Sequence, residues 1–93
     1  MSRTERRIFQ INEELAQLAE EEARVFEELQ FHRHIHDDAH RDALVSDHPE
    51  DRALARQTAA DVARFERAVA EVQDRRTKLE EKRSRLFGRL RDL

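Results

Sequence analysis

The chain has 93 residues, a net charge of −3 and 42% charged residues, with one Gly, one Pro and no Cys, Trp or Tyr. The lack of Cys excludes a disulfide framework, a thiolate nucleophile and a Cys-ligated zinc site. No apolar run approaches the roughly 18 residues of a membrane span, and the N-terminal segment lacks the apolar core of a secretory signal. We therefore expect a cytoplasmic protein without a membrane partner.

The composition favours helix along the whole chain. Ala, Leu, Glu and Arg dominate and are strong helix formers, whereas the β-branched and aromatic residues typical of strands are scarce. Disorder is the competing interpretation, because the charge content is high and the hydropathy is low. The apolar residues nevertheless follow a regular spacing that a disordered chain has no reason to keep. Composition and spacing together predict an all-α protein.

The first predicted element is a helix over residues of about 3 to 44. Its apolar residues recur at alternating spacings of three and four, which is the heptad pattern of a coiled-coil seam. Strict alternation of apolar and polar residues, which a half-buried strand requires, does not occur over this stretch. The apolar seam positions are Ile8, Ile11, Leu15, Leu18, Val25, Leu29, Ala39 and Ala43.

The stretch LVSDHPEDR contains the strongest turn signal and predicts a turn at about 45 to 48. Pro49 suits the first position of a helix, and a residue that precedes a proline is pushed out of helical geometry. Glu50 and Asp51 then place negative charge in the first turn, where the helix dipole favours it. An alternative start has Asp47 as the cap, with Glu50 closing a capping box. In both versions a second helix runs from about 49 to 91.

The second helix continues the heptad spacing of the first. A turn of only a few residues makes two long helices antiparallel neighbours. In a register centred on that turn, Ile8 faces Leu86 and Leu15 faces Leu79. The sequence therefore predicts one antiparallel two-helix hairpin, a coiled coil, over residues 1 to 93. The apolar seam positions of the second helix are Ala55, Val62, Phe65, Val69, Val72, Leu79, Leu86, Leu90 and Leu93.

Three charged residues, Glu22, Arg76 and Arg83, occupy seam positions where an apolar residue is expected. In this register Arg76 lies one layer from Glu22, so the two can pair while their stems cover neighbouring leucines. Polar seam positions of this kind commonly fix the alignment of helices. The functional alternative is that Arg76 or Arg83 faces a ligand or a partner.

The first helix carries a second stripe at heptad spacing, outside the seam. A two-helix hairpin leaves much of each helix uncovered, so this stripe predicts a contact with further helices. Self-association into a homodimer with four helices is the simplest solution, and a different protein that supplies the helices is the alternative. The predicted partner-binding residues are Phe9, Ala16, Ala19, Ala23 and Phe26 on this stripe, with Phe31 and Ile35 beyond it.

The stretch FHRHIHDDAH holds four histidines in ten positions. His32, His36 and His40 share one side of a helix, and a pair spaced by four residues can clamp zinc or another divalent metal. Neutral seam histidines that bond to partners such as Thr58 are the preferred interpretation, and they would loosen the turn end of the hairpin in mild acid. The third interpretation is that the histidines form a partner-recognition surface. A further metal ligand could come from Asp37, Asp61 or His48.

The sequence has no nucleophile, phosphate-loop or metalloprotease motif, and two packed helices offer no enclosed pocket for paired carboxylates. We expect a non-enzymatic protein–protein interaction module without a cofactor: a scaffold, adaptor or regulator. A metal-responsive or pH-responsive helical protein is the first alternative. Nucleic-acid binding is the second, and the negative net charge and the lack of interleaved aromatic residues disfavour it. It would use the terminal basic cluster of Arg3, Arg6, Arg7, Arg83, Arg85, Arg89 and Arg91.

Overall fold

The computed structural model describes residues 1–92, and its secondary structure consists of two α-helices that pack against each other. Helix α1 spans Arg3–Val45 and helix α2 spans Pro49–Arg91. Residues 1–92 contain no β-strand. The predicted all-α class with two mutually packed helices is therefore confirmed. Leu93, the last predicted seam position, lies outside the described residues.

The chain divides into two compact units. Met1–Ala23 and the segment that begins at Glu71 form the first unit, and Arg24–Ala70 forms the second. Each unit contains part of α1 and part of α2. The second unit also contains the connection between the two helices, so it is a helical hairpin by itself.

The first unit has an aliphatic core between its two helical segments. Ile8, Ile11 and Leu86 are buried together, and Ile11 is completely inaccessible to solvent. The partly buried Leu15, Leu79 and Leu90 pack against this cluster. Residues near the start of α1 therefore contact residues near the end of α2, which makes the segments antiparallel. Each fully buried Ile or Leu contributes about 1.5 to 3 kcal/mol through removal of apolar surface from water.

The second unit buries a smaller and more polar set of seam residues. Leu29 and Ala39 of α1 are buried, as is Thr58 of α2. Atoms Nδ1 of His36 and Oγ1 of Thr58 lie 2.9 Å apart and are hydrogen-bonded across the two helices. The heptad spacing thus brings a polar pair, His36 and Thr58, into contact in the second unit, whereas the core contacts of the first unit are aliphatic.

The connection between the helices consists of residues 46–48, and α2 begins at Pro49. The Oγ atom of Ser46 accepts a hydrogen bond from the N–H of His48 at 3.0 Å. The N–H of Asp51 donates to the carbonyl of His48 at 3.2 Å, which closes the first turn of α2. His48 therefore occupies the cap position and Pro49 the first helical position, as in the first of the two predicted starts.

Helix α1 begins with a reciprocal capping box that the sequence analysis did not identify. The N–H of Glu5 donates to Ser2 Oγ at 3.1 Å, and the N–H of Ser2 donates to Glu5 Oε1 at 3.2 Å. These bonds satisfy two backbone donors that the helix itself leaves unpaired. The hydrogen bond from the Ser2 backbone stabilises the carboxylate and lowers the pKa of Glu5 from its usual value.

Candidate functional site

The predicted contact stripe is exposed in the first unit. We call Phe9, Ala16, Ala19 and Ala23 the outer face of α1. Phe9 is 56% exposed, and the three alanines are also exposed. An exposed aromatic side chain next to small residues is characteristic of a surface that a partner covers. Asn12 shares this stripe, and its Oδ1 accepts a hydrogen bond from Arg83 at 2.8 Å.

The predicted partner residues of the second unit are also largely uncovered. Phe26 is 48% exposed and Phe31 is 60% exposed, whereas Ile35 is half-buried. The ring of Phe31 meets the ring of His32 edge-on, with centroids 5.5 Å apart. Leu54 of α2 is exposed as well. The sequence analysis missed Leu54, because a single leucine outside the seam has no periodic signal.

The three charged seam residues contact other residues of the first unit. Arg76 forms an ion pair with Glu22, and its Nε lies 3.5 Å from Glu80 Oε1. Arg83 donates to Asn12, as described above. An additional ion pair, Arg75 with Glu21 at 2.8 Å, was not anticipated. These contacts link the helical segments to each other, and they favour the alignment role over a ligand-facing role for the arginines.

The predicted histidine ridge lies in the second unit. The ring of His32 stacks on the ring of Phe65, with centroids 4.4 Å apart and an interplanar angle of 17°. His36 bonds to Thr58, while His40 is exposed, and the centroids of these two imidazoles are 5.8 Å apart. Two of the three histidines are thus in contact with side chains of α2.

The ridge does not form an evident metal centre. Within residues 1–92, no group of three or more His, Asp or Glu side chains is arranged to hold a metal ion. The Nδ1 atom of His36 is already bonded to Thr58, and the ring of His32 is held against Phe65. The binding of zinc or another divalent metal by His32, His36 and His40 remains a prediction.

A groove in the first unit gathers basic side chains from both helices. It has a volume of about 400 Å³, and Leu86 forms part of its wall. We call it the basic groove. It assembles only part of the predicted terminal cluster, because Arg83, Arg85 and Arg91 do not line it, and it adds a lysine that the prediction omitted. Its cationic lining residues are Arg3, Arg6, Arg7, Lys82 and Arg89.

Comparisons of the chain with protein-family models, curated proteins and solved structures found no match. Over residues 1–92, neither helix contains a stretch that is long and apolar enough to cross a membrane. The candidate sites are therefore supported by the geometry of this chain and not by similarity to a known protein.

Proposed function

We propose that this chain is a non-enzymatic protein–protein interaction module that forms a homodimer through the outer face of α1, which yields a bundle of four helices. The exposed aromatic and small residues of that face carry the proposal. Phe9 is more than half exposed although it lies beside the buried Ile8 on the same helix. A chain that had no partner for this face would gain solubility from a polar residue there.

The order of residues along the stripe suits a second copy of the same chain. Ala16 and Ala19 lie on either side of a midpoint, and Asn12 and Ala23 flank them at equal sequence distance. Phe9 precedes Ala16 by the same interval by which Phe26 follows Ala19. An antiparallel copy of α1 would therefore place Ala16 against Ala19 and Phe9 against Phe26. Self-complementarity of this kind is what a two-fold symmetric interface requires.

The side chains on the stripe set the expected strength of the dimer. Covering a Phe side chain completely contributes about 1.5 to 3 kcal/mol, so covering the exposed half contributes about 1 kcal/mol. Association costs about 4 to 15 kcal/mol in lost freedom of motion. Phenylalanines alone cannot offset that cost, and close packing of backbones over the alanines must supply the remainder. We therefore expect a weak dimer whose formation depends on protein concentration.

The test is the mass of the chain in solution, measured by sedimentation equilibrium for the wild type and two variants. Ala19→Arg places a long charged side chain at the centre of the outer face and should give a monomer with unchanged helicity. Gln73→Arg is the matched control, because Gln73 is also exposed in the first unit but belongs to α2, and it should remain a dimer. A wild type that stays monomeric at high concentration would overturn the proposal.

A further inference from the structure

The basic groove has an unusual lining for a chain of negative net charge. Among residues 1–92, five cationic side chains line it and no Asp or Glu does. A second groove of the first unit, of about 450 Å³, is balanced instead. Glu14 and Glu21 line that second groove together with Arg75 and Lys78, and Arg75 is paired with Glu21 at 2.8 Å. The positive charge of the basic groove is therefore a local property.

Two acidic residues near the groove, Glu5 and Glu14, already have partners. Glu5 is bonded to Ser2 in the capping box of α1. Glu14 pairs with Arg7 at 3.3 Å, so one of the five cations of the groove has a carboxylate partner. In the part of the chain that the structure describes, Arg3, Arg6, Lys82 and Arg89 have no carboxylate oxygen within 4.0 Å. Like charges held around one concave surface attract a multivalent anion.

We infer that the basic groove binds a compact polyphosphate anion, such as a triphosphate group. Guanidinium groups donate paired hydrogen bonds to phosphate oxygens, and lysine contributes a point charge. Arg3 and Arg7 are one helical turn apart on α1, and Lys82 and Arg89 are two turns apart on α2, so donors from both helices surround the groove. A single phosphate group carries about 1.5 to 2 negative charges at neutral pH, which is too little charge to neutralise the cations of the groove.

The extent of the positive surface favours a compact anion over a nucleic-acid strand. In α1, Glu13 and Glu14 follow Arg6 and Arg7 by two turns, and in α2, Glu80 and Glu81 immediately precede Lys82. A long polyanion that left the groove along either helix toward the middle of the chain would therefore meet carboxylates. None of the aromatic side chains in the described part of the chain lines the groove, so none could stack on a base there. Binding should depend on the phosphate chain and be indifferent to an attached nucleoside.

Calorimetric titration of the full chain with inorganic tripolyphosphate tests this inference. Saturable binding is expected, with a nucleoside triphosphate binding within about twofold of tripolyphosphate and orthophosphate binding at least tenfold more weakly. Tighter binding of the nucleoside triphosphate would show that the base is recognised and would overturn the phosphate-only site. No saturable heat with tripolyphosphate would overturn the inference entirely, and so would a single-stranded oligonucleotide that binds more tightly than tripolyphosphate.

Two matched lysine variants locate the site. Lys82→Gln removes a cation of the basic groove, whereas Lys78→Gln removes a cation of the balanced groove in the same unit. Lys82→Gln should weaken tripolyphosphate binding about tenfold, and the double variant with Arg89→Gln about a hundredfold. Lys78→Gln should leave it within twofold. Equal weakening by Lys82→Gln and Lys78→Gln would show nonspecific attraction and reject the groove as the site. Circular dichroism verifies that each variant is folded.

Discussion

The imidazole of His32 lies nearly parallel to the ring of Phe65, with the ring centroids 4.4 Å apart. Phe31 touches the same imidazole, but edge-on and from an exposed position. The two phenylalanines therefore make different contacts with one histidine. Stacked rings of this kind contribute about 0.5 to 1.5 kcal/mol beyond the surface that they bury.

A double-mutant cycle measures this contact. Phe65→Ala and His32→Ala should each destabilise the chain in urea unfolding, and their coupling free energy should be about 1 kcal/mol. The same cycle with Phe31→Ala in place of Phe65→Ala is the control, and its coupling should be about 0.5 kcal/mol or less because the Phe31 ring is mostly in water. Equal coupling for the two phenylalanines would contradict the asymmetry of the two contacts.

In the first unit, a buried residue and an exposed residue should affect different properties: the first the stability of the fold, the second the association of two chains. Ile11 is fully buried, so Ile11→Ala should lower the free energy of unfolding by about 3 to 4 kcal/mol through lost burial and an internal cavity. Phe9→Ala should change it by about 0.5 kcal/mol when measured on dilute, monomeric protein, because the Phe9 ring is largely exposed. At high concentration Phe9→Ala should instead weaken the dimer. Urea unfolding at two protein concentrations distinguishes the effects.

The first turn of α1 should respond to acid through Glu5. Its lowered pKa means that the ionised form is favoured by folding, so the contribution is complete above the usual value of 4.5 and is lost as the pH falls through the lowered folded value. The protection factors of the first-turn amides, measured by NMR and corrected for the intrinsic exchange rate at each pH, should therefore fall below pH 4.5. Glu5→Gln should remove most of this pH dependence. An unchanged pH profile in Glu5→Gln would exclude Glu5 as its origin.

The direction of the proposed dimer can be read from disulfide formation, since the chain has no cysteine of its own. Ala16→Cys and Ala19→Cys chains, mixed in equal amounts and oxidised, should give mostly the mixed disulfide, because an antiparallel copy places residue 16 against residue 19. A parallel dimer would instead link like positions, 16 with 16 and 19 with 19. Cross-linking requires Cβ atoms about 3.5 to 4.5 Å apart, so the product reports the register.

Heptad spacing predicted the parts of the fold that depend on apolar periodicity. Ile8, Ile11, Leu18, Leu29 and Leu86 were assigned to the seam, and all five are buried. Pro49 restricts its own backbone and that of the residue before it, so it predicted the start of α2 locally. These features follow from properties of neighbouring residues, which a single sequence contains.

The details that were not predicted depend on side-chain choice among several partners. The seam register anticipated the pairing of Arg76 with Glu22, whereas the pairing of Arg75 with Glu21 depends on side-chain rotamers outside the seam. The capping box at Ser2 was readable from its S-x-x-E spacing, but apolar periodicity does not reveal it. The terminal basic cluster was predicted, but not which of its members line one groove, because that depends on the direction of each side chain around its helix; Lys82 lines the groove and Arg83 does not.

The hydroxyl of Thr58 has a single hydrogen, and it donates to a backbone carbonyl of α2, with Leu54 O and Ala55 O both 3.0 Å away. The oxygen must then receive its bond from His36, whose Nδ1 therefore carries the hydrogen. Neutral His36 is thus fixed as one tautomer, with its lone pair on Nε2. The backbone carbonyls of α2 thus set which nitrogen of an α1 side chain carries the hydrogen, through the single hydroxyl that lies between them.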